Sequence, residues 1–376
     1  MSLSRFHKQS DGIICPNNYR VYVSFCGKNR TPSSNNANLC NWIECYNPSN
    51  NSWHTVTSIP GLIENQVLKG FAMVSVGESF IYVIGGRICH NKDINHDDDS
   101  YFTYDIDLEV IPNVLRYDVQ KDLWYKCAPM KMARCDFACT VSKNKIYVAG
   151  GQSTFGCGKG ISSAEVYDPV LDEWKSLPNM STLRYKCVGV TWQGKIYVVG
   201  GFAERGDNDS PGPFTMERSS AEVYDIEHKK WDLKARMWEL DVPPNQIVTI
   251  NGKLFSSGDC LNAWKGHVES YNGKLKMWDM VRGSRLDTLS SSSSMQQRLY
   301  YLTMAPIGTN LYFLAGYRKV DQEEEGGDDD IISRIKTEVY VFDTCENGDG
   351  WKSFEPIEEQ GEKELCCHCC VLIKQD

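Results

Sequence analysis

The sequence predicts an all-β protein assembled from six copies of one four-stranded unit. Three observations carry this. A run of β-branched and aromatic residues closed by two glycines recurs as IYVIGG (81–86), IYVAGG (146–151) and IYVVGG (196–201), with weaker copies LFSSGD (254–259), LYFLAGY (311–317) and VYVSFCG (21–27). After a variable stretch each copy is followed by a second phrase that ends in tryptophan: WIECYNPSNNSW, VLRYDVQKDLW, SAEVYDPVLDEW, SAEVYDIEHKKW, HVESYNGKLKMW and TEVYVFDTCENGDGW. The closing residues are Trp53, Trp124, Trp174, Trp231, Trp278 and Trp351. The chain is also rich in aromatics, with 19 Tyr and 10 Trp, which suit pleated surfaces.

Each unit reads as four short strands. In the third, FACTVS (137–142) is the inner strand, KIYVAGG (145–151) the second, AEVYDP (164–169) the third and EWKSLP (173–178) the outer one, with the turn SKNK joining the first two. A single such sheet cannot bury both of its faces, so neighbouring sheets must stack. Glycines at the end of the second strand, lacking Cβ, let another stretch of backbone come close. The first unit lacks an inner strand of its own, because nothing before VYVSFCG reads as one. HCCVLIK (368–374) resembles FACTVSK (137–143), so the C-terminus is expected to supply the missing strand and leave no partial sheet edge.

Gly-Gly, then Tyr, then Trp, recurring at roughly 50 residues, is the pattern of kelch repeats. The chain resembles a kelch-repeat β-propeller from about residue 19 to its end, and it looks similar to plant kelch proteins over 241–271. The resemblance implies six four-stranded antiparallel blades in a ring closed by the C-terminal strand joining the first blade. Residues 1–18 are then an N-terminal arm and 19–376 a single domain. Its blades are expected at 19–60 plus 366–374, 71–130, 137–180, 186–237, 246–281 and 300–357.

Composition sets the outer limits. No apolar run approaches the roughly 20 residues that span a bilayer. The N-terminal segment has no apolar core of a signal peptide, so the 16 Cys are expected as reduced thiols in a cytoplasmic or nuclear protein. A net charge of −9 argues against a general nucleic-acid binder. That acidity is concentrated. Seven acids and no Lys or Arg lie between Asp93 and Glu109, and seven more between Asp321 and Asp330; setting these fourteen aside turns −9 into +5. Both runs follow a Gly-Gly-type strand, so they should emerge on one face. There they either steer a partner bearing a basic patch or serve as solvated loops.

Chemistry-bearing patterns are few. GCGKG (156–160) fails as a phosphate loop, since Gly160 stands where Ser or Thr should follow Lys159 and Ser153 where the first Gly should be. CCHCC (366–370) suggests zinc, but side chains alternate along a strand and no second Cys pair lies at finger spacing, so buried thiols in an inner strand are expected. HNKDINHDDD (90–99) gathers His90, Asp93 and His96 in an insert that reads as a solvated acidic loop. SSSSS (290–294) reads as a linker. No catalytic constellation, metal site or cofactor is expected.

The resemblance implies binding through loops on one face of the propeller. Arg134 and Arg184 sit at matching positions, each four residues after a methionine (Met130 and Met180). Two roles are open to them: bidentate contact with a partner's carboxylates, or donation to backbone carbonyls that holds blades together. Arg87, Arg205, Arg318, Phe155, Tyr185, Tyr317 and Trp264 fall in the same converging loops, and are of the residue types that dominate interfaces. The leading reading is a monomeric, non-catalytic protein-interaction module that binds neither nucleic acid nor membrane. A substrate adaptor of a ubiquitin ligase is the second reading. F-box or BTB segments usually precede such propellers, and none is legible in 1–18, so a partner would supply the ligase link. A metal-dependent enzyme on this scaffold is the third.

Overall fold

The computed structural model describes residues 18–27, 41–63, 65–92, 104–154, 159–205, 218–260, 267–284, 297–319, 334–345, 350–360 and 363–373. Among the described residues there is no α-helix, and therefore none long and apolar enough to cross a membrane. The secondary structure is a series of antiparallel meanders. Sheet 2 runs Ala72–Val76, Phe80–Ile84, Val114–Asp118, Leu123–Cys127, and sheet 3 runs Ala138–Ser142, Lys145–Ala149, Ala164–Asp168, Glu173–Leu177. Sheet 4 comprises Val188–Trp192, Lys195–Val199, Ala221–Asp225 and Lys230–Lys234; sheet 5 comprises Ile247–Ile250, Lys253–Ser256, Glu269–Asn272 and Met277–Met280. Sheet 6 has longer strands, Gln297–Ile307, Asn310–Lys319 and Arg334–Asp343, edged by Trp351–Ser353.

Sheet 1 is assembled from both ends of the chain. Tyr19–Gly27, Asn41–Asn47 and Ser52–Ser58 form its outer part. On the free side of Tyr19–Gly27 the C-terminal Cys370–Ile373 pairs from Tyr19↔Ile373 to Tyr22↔Cys370, and Lys363–Leu365 pairs from Phe25↔Leu365 to Gly27↔Lys363. HCCVLIK therefore does pair with the first strand.

The core lies between sheets rather than within them. Tyr22, Ile43 and Cys45 of sheet 1 share a cluster with Ile81, Val83 and Tyr117 of sheet 2. Tyr82 and Ile84 pack on Ile146, Tyr167 and Trp174; Tyr147 packs on Ile196 and Tyr224. Val199 and Val223 meet Trp238 and Trp278, and Phe255 meets Leu302 and Phe313. Val21, Val23 and Phe25 of sheet 1 also share a cluster with Tyr301, Ala305 and Leu314 of sheet 6. Each fully buried aromatic or aliphatic side chain of this kind contributes about 1.5–3 kcal/mol.

In repeats two to six the closing tryptophan fastens its sheet to the one before, whereas the indole N–H of Trp53 in the first repeat is buried without a hydrogen-bond partner among the described residues. The fastening N–H donates to Thr57 Oγ1 from Trp124 (3.0 Å), to Ala128 O from Trp174 (2.9 Å), to Pro178 O from Trp231 (2.7 Å), to Met237 O from Trp278 (2.8 Å) and to Ser284 O from Trp351 (2.7 Å). Within its own sheet each ring lies about one ring-width from the tyrosine or phenylalanine of strand three, as in Tyr167–Trp174 at 5.0 Å. Sequence periodicity thus becomes a periodic inter-sheet bond.

The two faces of the molecule differ. One is closed by tight turns, at 77–79, 143–144, 193–194, 251–252 and 308–309 between first and second strands, and at 119–122, 169–172, 226–229 and 273–276 between third and fourth. The other carries the long connections after the second strands and the segments between sheets. Two small extra sheets stand there: Gln66–Lys69, Arg87–Lys92 and Tyr104–Val110 in one, Thr182–Tyr185 and Phe202–Arg205 in the other. This corrects the reading of the stretch after Gly86 as an acidic loop throughout. Its two ends are paired strands, from Arg87↔Val110 to Lys92↔Tyr104, with a bulge at Leu108 between the Ile88↔Glu109 and Cys89↔Asp107 pairs. The acidic stretches 93–103 and 321–330 and the serine run lie outside the described residues.

Candidate interaction face and central channel

The Gly-Gly motif is where backbone meets backbone. Gly85 and Gly86 have φ of +60° and +104°, in the left-handed region that favours glycine. A Cβ on Gly85 would sit 2.6 Å from the Arg134 carbonyl oxygen, and one on Gly86 3.0 Å from that of Lys69. Without it, Gly86 N–H donates to Arg134 O at 2.9 Å; in the next repeat, Gly151 N–H donates to Arg184 O at 2.8 Å. The diglycine is a seat for the neighbouring sheet, not for a phosphate.

Arg134 and Arg184 complete that seat. Both are 0 % exposed. Arg134 Nη1 donates to Gly150 O (2.9 Å) and Ser163 O (3.0 Å), while Nη2 pairs with Glu165 Oε1 (2.7 Å) and donates to Ser163 Oγ (3.3 Å). Arg184 repeats the plan with Gly200 O (2.8 Å), Ser220 O (3.2 Å), Ser220 Oγ (2.7 Å) and Thr182 Oγ1 (2.8 Å). Each arginine therefore ties the second and third strands of its own sheet with its guanidinium, and holds the preceding sheet with its carbonyl. Burial pulls the Arg134 pKa down and Glu165 pulls it back. Of the two roles open to these arginines, this geometry serves the holding one, and it corrects their place among partner-contacting candidates: a guanidinium without exposure does not reach a partner. Tyr317 is corrected on the same ground, being 6 % exposed in the core between sheets 5 and 6.

The remaining candidates divide. Arg87 is half-buried, with Nη1 2.6 Å from Asp136 Oδ2 and Nε 3.1 Å from Asp107 Oδ1. Tyr185 is half-buried and stacks on Phe202 at 5.1 Å, whose ring carries the Arg218 guanidinium at 4.9 Å. Arg318 is exposed, and Arg205 ends the strand Phe202–Arg205. Phe155 and Trp264 lie outside the described residues, as does the side chain of Arg205. The structure thus joins Tyr185 to Phe202 and Arg218, two residues the sequence reading left out. It also reveals Glu165, Glu222, Ser163 and Ser220 as partners of the Met-x-x-x-Arg loops. Their signal was present: SAEVYD occurs twice without change, and the Ser-Ala-Glu half has no reason to repeat unless its polar atoms are used.

A cavity of roughly 810 Å³ is lined by residues of the inner strands of sheets 1 to 6. Cys139, Cys187, Cys260 and the CCHCC stretch line it. Burial pushes Cys187 up to about 11 and Cys139 and Cys369 up to about 12, and holds Cys366, Cys367 and Cys370 well above the ordinary thiol value. Burial thus favours the protonated thiol throughout this cluster. Among the described residues, no three His, Cys, Asp or Glu side chains are grouped to hold a metal ion.

His368 stands among these thiols in the cavity wall. Burial lowers its pKa from 6.5 to about 4, against a smaller opposing effect of a hydrogen bond with the Asn245 backbone, and its Nδ1 is buried without a hydrogen-bond partner. The unfolded chain takes up this proton near pH 6.5 while the folded chain resists until about pH 4. Between those values the unfolded state binds more protons, so stability falls as pH drops through the window and the loss levels off below it. Urea midpoints at pH 7, 5.5 and 4.5 for the natural chain minus His368→Leu should show that slope. An identical pH dependence in both would remove His368 as its source.

The Kelch motif family model matches residues 133–181 and 183–237, the two repeats in which the arginine seat is complete. Over these two repeats the chain carries the kelch motif. Among curated proteins it is 34 % identical over 184 residues to an F-box/kelch-repeat protein of Arabidopsis thaliana, covering 48 % of this chain and 45 % of that one. A second F-box/kelch-repeat protein of the same plant is 30 % identical over 213 residues, covering 56 % and 52 %. Kelch-like protein 26 of Danio rerio is 24 % identical over 254 residues, covering 66 % and 38 %. The chain thus spans about half the length of the F-box/kelch-repeat relatives it matches.

Proposed function

We propose that this chain is a non-catalytic protein-interaction module: a monomeric six-bladed kelch propeller over 19–376 that binds a partner protein on the face bearing the long connections. The observation that carries the reading is the asymmetry of the two faces. Tight turns close one, while the other raises two extra sheets and the half-buried group Tyr185, Phe202 and Arg218. Aromatic and arginine side chains held in place by their neighbours are the usual anchors of an interface. The ring is supported by the shared cluster of sheets 1 and 6 and by Cys370–Ile373, which abuts both Ala72–Val76 and Gln297–Ile307. Cytoplasm or nucleus is the proposed compartment.

The test is affinity capture from cell extract followed by mass spectrometry. The partner recovered by the natural chain should drop at least tenfold with Tyr185→Ala/Phe202→Ala and persist with Lys145→Ala on the tight-turn face. Equal recovery by all three folded proteins would overturn the reading. A second reading, a substrate adaptor in a ubiquitin-ligase complex, is favoured by the likeness to proteins named for an F-box. It calls for cullin-ligase subunits among the captured proteins. Stoichiometric iron, copper or zinc in the purified protein would instead favour a metal-dependent enzyme.

A further inference from the structure

The strand Tyr104–Val110 is the end strand of the three-stranded sheet raised on the long-connection face. Among the described residues no other strand pairs with its outer edge. Its sequence, YDIDLEV, alternates apolar and acidic residues and contains no base. Ile106 and Leu108 are 44 % and 48 % exposed, although they lie in the middle of a strand. Asp107 is partly offset by Arg87, which it shares with Asp136; Glu109 is exposed.

An open edge presents a row of backbone donors and acceptors to any extended chain that approaches at strand spacing, about 4.8 Å. Charge decides which chain. A second copy of this strand would bring acids against acids, which is destabilising in directly opposed pairs. Acidic side chains on an edge thus guard it against self-pairing, yet they suit a segment in which basic residues alternate with apolar ones. Such a segment gains ladder hydrogen bonds on either side of the bulge at Leu108, contact with the exposed Ile106 and Leu108, and an opposite-charge partner at Asp107 and at Glu109.

We propose that Tyr104–Val110 is a docking strand: an extended basic–apolar segment of a partner protein adds to it as a fourth strand. This rests on the protein-interaction reading above and gives it a partner chemistry and a binding mode.

The probe is a fluorescein-labelled heptapeptide alternating lysine and valine, titrated by anisotropy against the full chain at about 150 mM salt, where long-range charge effects are screened. Saturable binding is expected. It should weaken at least tenfold when alternate peptide nitrogens are methylated, which removes ladder donors without changing charge. It should weaken as much in Ile106→Ser/Leu108→Ser, which keeps every acid, and vanish when glutamate replaces lysine. Equal binding of the methylated peptide would reduce the contact to charge alone and overturn the proposal. So would an unaffected serine variant, or sedimentation showing a dimer of the natural chain that the serine variant abolishes. If the peptide arm fails while the Tyr185→Ala/Phe202→Ala variant still loses its captured partner, only the docking strand falls and the interaction face stands.

Discussion

Replacing Arg134 by alanine is expected to destabilise the chain by about 3–5 kcal/mol, a large part of the 5–15 kcal/mol that typically holds a domain folded. The substitution removes four hydrogen bonds at once and leaves Glu165 buried, 3 % exposed, without its countercharge. An orphaned buried charge costs more than a missing pair. Arg134→Lys should rescue little, because one ammonium cannot span Gly150 O, Ser163 O and Glu165 Oε1 in the fork that the planar guanidinium supplies. Arg134→Met combined with Glu165→Gln should recover part of the loss. It removes both charges, and the remaining amide oxygen can still accept from the N–H of Lys131, now 2.8 Å from the carboxylate. Urea denaturation of the four proteins, followed by near-ultraviolet circular dichroism, orders them. A shift below about 1 kcal/mol for Arg134→Ala would mean that the seat tolerates a hole, and would return the arginine to the candidates for partner contact.

Much of the scaffold was legible because its determinants are local and repeated. Gly-Gly, Tyr and Trp each do the same job in successive sheets, so periodicity alone located strands two to four of the third repeat to within a residue or two. The same logic paired HCCVLIK with the first strand, since a sheet lacking an inner strand must find one. The candidate site was less legible. Met-x-x-x-Arg marks a position but not a direction, and whether a guanidinium turns outward or inward depends on acceptors far away in sequence. Arg134 finds its carboxylate at Glu165, and its carbonyl meets Gly86 in the preceding sheet. Tyr317 looked like a loop residue because it follows the glycine of the sixth repeat's degenerate motif, in which Ala315 replaces the first glycine. The strand simply runs on to Lys319, carrying Tyr317 into the core. The strand at 104–110 was hidden by its charge. Counted as part of an acidic run it reads as solvated loop; taken two residues at a time, Tyr104, Ile106, Leu108 and Val110 alternate with acids, a strand pattern that the bulge at Leu108 interrupts, so that Val110 is buried and Ile106 exposed. Lys363 gave no signal at all. It is an isolated lysine in an acidic segment, yet it lies buried between Glu44 (2.9 Å) and Glu359 (2.5 Å) and over the rings of Phe25 and Trp53.

Deleting His368–Asp376 is expected to have the largest effect of any change considered. The deletion removes Cys370 and Leu372, which are 7 % and 4 % exposed in the cluster between sheets 1 and 2, and strips the ladder from Tyr19↔Ile373 to Tyr22↔Cys370. It also takes away Val371, whose carbonyl accepts from Ser75 Oγ at 2.7 Å in sheet 2, and Cys369, whose N–H donates to Thr303 Oγ1 at 2.9 Å in sheet 6. One short strand therefore touches three sheets. Its loss leaves the Tyr19–Gly27 edge open and apolar, the kind of edge that pairs with other chains. Aggregation or failure to fold is the expected result, read by gel filtration and thermal unfolding. Because a truncated chain can fail for unrelated reasons, a synthetic peptide of 366–374 supplied during refolding provides the discriminating arm. Recovery of the monomer peak with the peptide, and not with a scrambled one, assigns the defect to the missing strand. A truncated protein that elutes and melts like the full chain without any peptide would show that sheet 1 does not depend on Cys370–Ile373.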